Sequence, residues 1–190
     1  MERIGIFYAT REGHSHKVAD HLAAALLSHG MTVSVHELRD AEAGEALARS
    51  EVVVVIGSVH MGKHEPELVA FVRANRAKLE STPSAFFSVC GAESAAEQAG
   101  TPEARVAASK HVAEQLAAFA QATGWHPARV VPIAGALLYT HYNPLVRWMM
   151  KKIARSEAMP TDTSRDYEFT NWGALDEVAK QLADEMRTAA

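Results

Sequence analysis

A chain of 190 residues with 48% apolar side chains is long enough for one domain with its own core. Its net charge of −4, from 19 Lys and Arg against 23 Asp and Glu, excludes a broadly basic surface, so nucleic acid is not an expected partner. The lone cysteine, Cys90, excludes an internal disulfide and fits a reducing, cytoplasmic compartment, and the sequence shows neither a leader nor a window of about 18 apolar residues that would span a membrane.

The first strand is read over 3–8 and is followed at once by a turn and a helix over 14–29. The turn carries Thr10, Arg11, Glu12, Gly13, His14 and Ser15 in a T-x-x-G-x-S arrangement. Backbone N–H groups at a helix start attract an anion, and the two hydroxyls add donors. The turn lacks the Lys of a P-loop and the G-x-G-x-x-G of a dinucleotide fold. A mononucleotide phosphate is therefore expected there, with flavin mononucleotide (FMN) as the candidate cofactor.

Residues 31–35 alternate apolar and polar, as an edge strand does, and a short helix is expected over 41–49. The β-branched run 52–57 predicts a central parallel strand buried on both faces. A loop follows over 58–64, then a helix over 65–79 with Pro66 near its start. Pro83 opens a strand over 85–90, and 91–100 is read as a small polar loop. Thr101 and Pro102 predict a cap and a long helix over 102–123.

A fifth strand is read over 128–139, with Pro132 marking a break or an edge. The rhythm then stops for an insertion of about 140–169, which contains a helix over 144–156, and a last helix follows Thr170. Strands alternating with helices give an α/β fold, a doubly wound five-stranded parallel sheet in the flavodoxin-like order 2-1-3-4-5, with 1–190 as a single domain. In that order a ligand sits beyond the carboxyl ends of the first and third strands. Turn 10–15, Ser58, Val59, His60, Met61, Gly62 and Lys63 of the next loop, and Cys90, Gly91 and Ala92 of the third are thus the expected FMN contacts. His60 and His64 are the candidate general bases. They stand four apart without a further ligand, so no metal site is expected.

Helix 144–156 has Leu145, Val146, Met149, Met150 and Ile153 on one arc, with Arg147, Lys151, Lys152 and Arg155 largely opposite and Trp148 among them. Three roles fit: a peripheral contact with an anionic membrane surface, a helix docked on its own domain, or a homo-oligomer contact through the apolar face.

The sequence resembles the flavodoxin-like, oxygen-independent protoporphyrinogen IX dehydrogenases that use quinones. The resemblance rests on Tyr8 to Gly13, on Ile56-Gly57-Ser58 with Gly62, and on Pro83 to Val89. It also rests on Ile133 to Leu137 with Tyr139, and on Thr161-Asp162-Thr163 with Tyr167, Thr170 and Trp172. Met61 stands where the best-known members have an aromatic residue, and Cys90-Gly91-Ala92-Glu93 departs from the family's pattern. The resemblance implies non-covalent FMN, a tetrapyrrole substrate, and a quinone (menaquinone or ubiquinone) as acceptor, reached from the side of helix 144–156. It also implies a place in haem biosynthesis. A one-electron flavodoxin carrier and an NAD(P)H:quinone reductase are the competing readings.

Overall fold

The computed structural model describes residues 3–189. Its centre is a parallel sheet of β1 (Arg3–Ala9), β2 (Thr32–Glu37), β3 (Val52–His60), β5 (Ser84–Cys90) and β6 (Arg129–Ala134), ordered β2-β1-β3-β5-β6. Counting only these parallel strands, this is the expected order 2-1-3-4-5. β3 also carries a short antiparallel partner, β4 (Lys63–His64). The register aligns Ile4 with Val52, Val54 with Ala85, and Ala85 with Arg129.

Side chains alternate across each strand, so the sheet builds two cores. Ile4, Ile6, Val54, Ile56 and Phe87 face α1 (His14–Ser28) and α8 (Trp172–Ala189). Phe7, Val53, Val55 and Phe86 face the other layer. That layer holds α2 (Ala43–Arg49), α3 (Pro66–Ala74), α4 (Arg76–Ser81) and α6 (Pro102–Thr123). Burial of β3 on both faces is what its unbroken Val and Ile run requires. β6 lies at the sheet edge, where Pro132 costs no ladder bond. α1 ends in a Schellman turn: Gly30, at φ 78°, donates to Leu27 O, and Met31 N donates to Leu26 O.

Four expectations are corrected. The expected loop 58–64 is a hairpin, in which β3 runs on to His60 and returns as β4. Met61 (φ 51°) and Gly62 (φ 77°) make a two-residue turn of type I′ geometry. The expected helix 65–79 is two helices. Asn75, at φ −110° and ψ 12°, interrupts it while its side chain donates to Phe71 O.

Residues 91–98, expected as a loop, form α5 (Gly91–Gln98). Ala, Glu and Gln are strong helix formers, and that propensity wins although the inner face of α5 is marked only by small residues, Ala95 and Ala96. The expected strand 128–139 breaks at Gly135. Gly135 N donates to Ser94 Oγ (2.8 Å) and also lies near Cys90 O, so the chain turns out of the sheet. β7 (Ala136–Leu137) then pairs antiparallel with β8 (Tyr167–Glu168).

The insertion folds around this small ribbon. Asn143 caps α7 (Pro144–Ser156) by accepting from Val146 N, and Pro144 fills its first turn. Tyr139, fully buried, meets Tyr142 and Tyr167 edge-on and donates to Pro160 O. Among the described residues no helix is long and apolar enough to cross a membrane.

Candidate functional site

The carboxyl ends of β1, β3 and β5 open into a cleft of about 210 Å³. Thr10, Arg11, Glu12, His14, Ser15, Ser58, Val59, His60, Met61, Cys90 and Gly91 line it, so residues from all three expected segments meet there. α7 supplies a wall from Val146, Met149 and Met150, with Leu137, Leu138 and Tyr142 beside it.

The turn after β1 is shaped as an anion cradle. Gly13 caps α1 at φ 87°, a conformation that disfavours any side chain, and no side chain caps the helix. Gly13 N donates to Thr10 Oγ1 (2.9 Å), which leaves the Thr10 hydroxyl hydrogen free to be donated. The first helical bond runs from Lys17 N to Gly13 O, so the N–H groups of His14, Ser15 and His16 have no helical partner. Ser15 is fully buried and its Oγ has no hydrogen-bond partner. An orphaned buried hydroxyl costs about 1–3 kcal/mol unless a ligand satisfies it. The N–H groups, the positive end of the helix dipole and two hydroxyls therefore fit a phosphate monoester.

His14 does not add charge to this cradle. Thr170 Oγ1 donates to Ala134 O (2.6 Å), so it must accept from His14 Nε2 (2.7 Å). Burial lowers the His14 pKa, and Glu168 opposes that only in part. The neutral imidazole acts as a buckle between α1 and the segment before α8. Lys17 closes the same buckle with an ion pair to Glu168 at 2.5 Å, 5.0 Å from the Trp172 ring, while Trp172 Nε1 donates to Glu168. Thr170 and Trp172, noted in the sequence, thus brace the turn after β1.

At the second edge His60 lines the cleft, and its Nε2 lies 3.2 Å from Ser58 Oγ, 3.3 Å from Glu12 and 3.3 Å from Glu65. Ser58 also donates to Glu65, whose carboxylate is fully buried. Glu65 carried no signal in the sequence beyond standing before Pro66. His64 goes elsewhere. Across the hairpin His60 pairs with Lys63 and His64 with Val59, so the two histidines take opposite faces. His64 is buried between Phe86 and Phe119 with Ser88 Oγ at 2.9 Å, and burial pushes its pKa down to about 4. It does not line the cleft, which corrects its candidacy as a base at the flavin.

Gly57 lies in β3 under Leu68, whose Cδ2 stands 2.1 Å from where a Cβ would sit, so close packing rather than ligand approach explains this glycine. Lys63 is exposed on β4. Gly62 and Ala92 line a neighbouring cleft of about 250 Å³, on the other side of Met61 and Met150. Cys90 lines the first cleft, but burial pushes its thiol up to about 11 while the N–H groups of Glu93 and Ala92 pull only weakly the other way. Such a thiol stays protonated and is a poor nucleophile.

The basic arc of α7 also divides. Arg147 turns inward, donating to Tyr139 O (2.8 Å) and Tyr142 O (3.0 Å), and so anchors the insertion. Lys152 lies 5.9 Å from the Trp148 ring. Lys152 and Arg155 are exposed, while Lys151 is partly covered. Leu145, Trp148 and Ile153 are 74%, 64% and 44% exposed, and Met61 at the hairpin tip is 83% exposed. The apolar arc read from the sequence is therefore split between the cleft and solvent.

Comparison with known proteins gives the same frame. A family model described as a flavodoxin domain matches residues 5–164. A protein named protoporphyrinogen IX dehydrogenase [quinone] from Escherichia coli K12 is 29% identical over 178 residues, covering 94% of this chain and 93% of that protein. One of the same name from Leishmania major is 26% identical, covering 94% of this chain and 73% of that one. Among solved structures, a flavodoxin from the domain Archaea superposes with a TM-score of 0.51 at 14% identity, covering 97% of this chain and 99% of that one. Rubredoxin oxygen:oxidoreductase from Desulfovibrio gigas gives 0.54 at 13% identity, with this chain spanning 36% of its length.

Proposed function

Because the chain belongs to the flavodoxin-domain family and is built to hold a flavin, we propose that it is an FMN-dependent dehydrogenase. In this reading it oxidises protoporphyrinogen IX to protoporphyrin IX and passes the electrons to a quinone. Thr10, Ser15 and the bare N-terminus of α1 hold the phosphate. Ser58 to Met61 and Cys90 to Gly91 flank the ring. When bound, FMN supplies the two-electron redox chemistry, and the protein supplies position and electrostatics.

The observation that carries the dehydrogenase reading is the wall built by α7. Val146, Met149 and Met150 enclose the cleft with flexible, polarisable and apolar side chains on the side away from the phosphate turn. A large macrocycle with an extensive apolar face needs such a wall, whereas a carrier that meets its partner proteins edge-on does not. The relatives named for protoporphyrinogen oxidation match over 94% of the chain, which includes this insertion.

The outer face of α7 extends the same reading. Leu145, Trp148 and Ile153 with Lys151, Lys152 and Arg155 suit a peripheral contact with an anionic membrane, where a lipid-soluble quinone resides. The test is an anaerobic turnover assay of purified, FMN-loaded protein. Protoporphyrinogen oxidation that depends on menadione supports the proposal. An inert substrate with a stable one-electron reduced flavin on titration supports a carrier, and rapid bleaching by NADPH supports a nicotinamide-dependent quinone reductase.

A further inference from the structure

Of the titratable side chains facing the cleft, His60 has the most constrained surroundings. Its Nε2 is within 3.3 Å of three oxygens: Ser58 Oγ, Glu12 Oε2 and Glu65 Oε1. The hydroxyl of Ser58 is already donated to Glu65, so its oxygen accepts. Ionised carboxylates only accept. Each of these three oxygens can accept from a hydrogen on Nε2. An imidazole that carries its one hydrogen on Nε2 keeps its lone pair on Nδ1.

Glu65 is placed to enforce this tautomer. It is fully buried at the start of α3, held by the Ser58 hydroxyl, and its second oxygen has no partner. The arrangement follows the general logic of an oriented base: a buried carboxylate fixes one ring nitrogen and frees the other. His14 does not offer the same service, because it sits next to Ser15 at the phosphate end and its Nδ1 lies 4.0 Å from Glu168.

We propose that His60, oriented by Glu65 through Nε2, is the catalytic base of the site and takes the substrate's proton on Nδ1. This rests on the dehydrogenase reading above. Oxidation to the porphyrin removes four bridge C–H and two pyrrole N–H hydrogens, as three hydrides and three protons, so in two of the three two-electron steps the proton comes from a pyrrole N–H and in the third from the last methylene bridge. In an N–H step a C–H bond of a methylene bridge breaks and its electron pair leaves as hydride, which bound FMN would accept. A new double bond forms between the bridge carbon and its pyrrole. The pyrrole N–H then breaks, its electrons stay in the ring system, and its proton goes to His60 Nδ1. The substrate loses one hydride and one proton. Glu65 and Glu12 face the positive charge that forms on the imidazole, and the proton afterwards passes to water at the mouth of the cleft. The groups around His60 are Glu12 from the phosphate turn, Glu65 from the cap of α3, Ser58 on its own strand and Lys63, its register partner across the hairpin.

The test uses full-length FMN-loaded protein. His60→Ala is expected to lower the rate of flavin reduction by protoporphyrinogen, expressed per bound flavin, about 10²–10⁴-fold, the usual contribution of a positioned base. Added 4-methylimidazole should restore part of that rate in proportion to its concentration, which a purely structural histidine would not allow. A His60→Ala protein within about threefold of wild type, or a loss that no imidazole rescues, overturns the assignment. Nitrogen-15 spectra of the histidine rings give an arm that needs no turnover. Wild type is expected to show His60 protonated at Nε2, and a His60 protonated at Nδ1 in wild type overturns the inference. Wild-type protein that binds flavin yet leaves the porphyrinogen unoxidised counts against the substrate reading instead, and the tautomer measurement still decides this one.

Discussion

Replacing His64 with Gln should flatten the pH dependence of stability between pH 6.5 and about 4. His64 lies in the core between Phe86 and Phe119, hydrogen-bonded to Ser88 Oγ. Burial, opposed only in part by Glu65, lowers its pKa to about 4. The unfolded chain binds a proton there below about pH 6.5, whereas the folded core refuses one until about pH 4. The unfolded state thus holds more protons in that window, so stability falls as pH falls. The contribution is complete above pH 6.5 and gone below about pH 4. With about 1.4 kcal/mol per pKa unit, the whole window is worth about 3 kcal/mol. About 1.4 kcal/mol is lost by pH 5.5 and about 2.5 kcal/mol by pH 4.5.

The assay is urea unfolding followed by circular dichroism at pH 7.5, 5.5 and 4.5. A slope of about 2 kcal/mol per molar converts the loss at pH 4.5 into a midpoint lower by about 1.2 M. His64→Gln keeps a partner for Ser88 and removes the titration, so its midpoint should fall less than wild type's by that amount. His14, whose pKa burial also lowers, is present in both proteins and cancels. Parallel pH profiles for the two proteins would refute the reasoning and return His64 to a solvated site.

Three further outcomes follow from the geometry. Ser15→Ala removes an orphaned buried donor from the phosphate cradle and should weaken FMN binding by about 10–100-fold, the value of one hydrogen bond to a charged group, as read by quenching of flavin fluorescence. Gly57→Ala drives a methyl into Leu68 Cδ2, 2.1 Å away, and should cost about 1–3 kcal/mol of unfolding free energy, with Leu68→Ala in the same chain recovering part of it. Lys151, Lys152 and Arg155 changed together to Glu should abolish binding to anionic vesicles in a flotation assay while sparing FMN, whereas equal flotation by wild type and the triple variant would sink the membrane contact.

Strand order was legible because each strand carried its own mark. Val52 to Ile56 reads as buried on both faces, and the alternation at Thr32 to Val35 reads as an edge. The shape of the turn after β1 was legible because Thr10 and Gly13 work through local backbone geometry, which sequence spacing sets directly. What stayed hidden depends on contacts between distant segments. Gly91 to Gln98 buries only small residues, Ser94, Ala95 and Ala96, whose weak apolar signal is easily read as a polar loop.

The hairpin at Met61 and Gly62 puts a non-glycine residue at positive φ, against local preference, so no turn signal announced it. That hairpin decides which way His60 and His64 point, and so the two looked equivalent in sequence. Glu65 gains its meaning only when β4 folds back and buries it beside His60. The apolar arc of α7 was visible, but periodicity does not say what a helix face meets. Here Val146 and Met149 meet the cleft while Leu145 and Trp148 meet solvent.

The central claim is most directly tested by an anaerobic two-step mixing experiment on FMN-loaded protein, followed by flavin absorbance. Protoporphyrinogen added first, at one molecule to three flavins because its oxidation releases six electrons, should bleach the flavin with formation of porphyrin, and a naphthoquinone added second should restore the flavin absorbance within the time of one turnover. A flavin that stays oxidised in the presence of the porphyrinogen, while the same protein is readily reduced by a one-electron donor, would contradict the account and leave the chain an electron carrier.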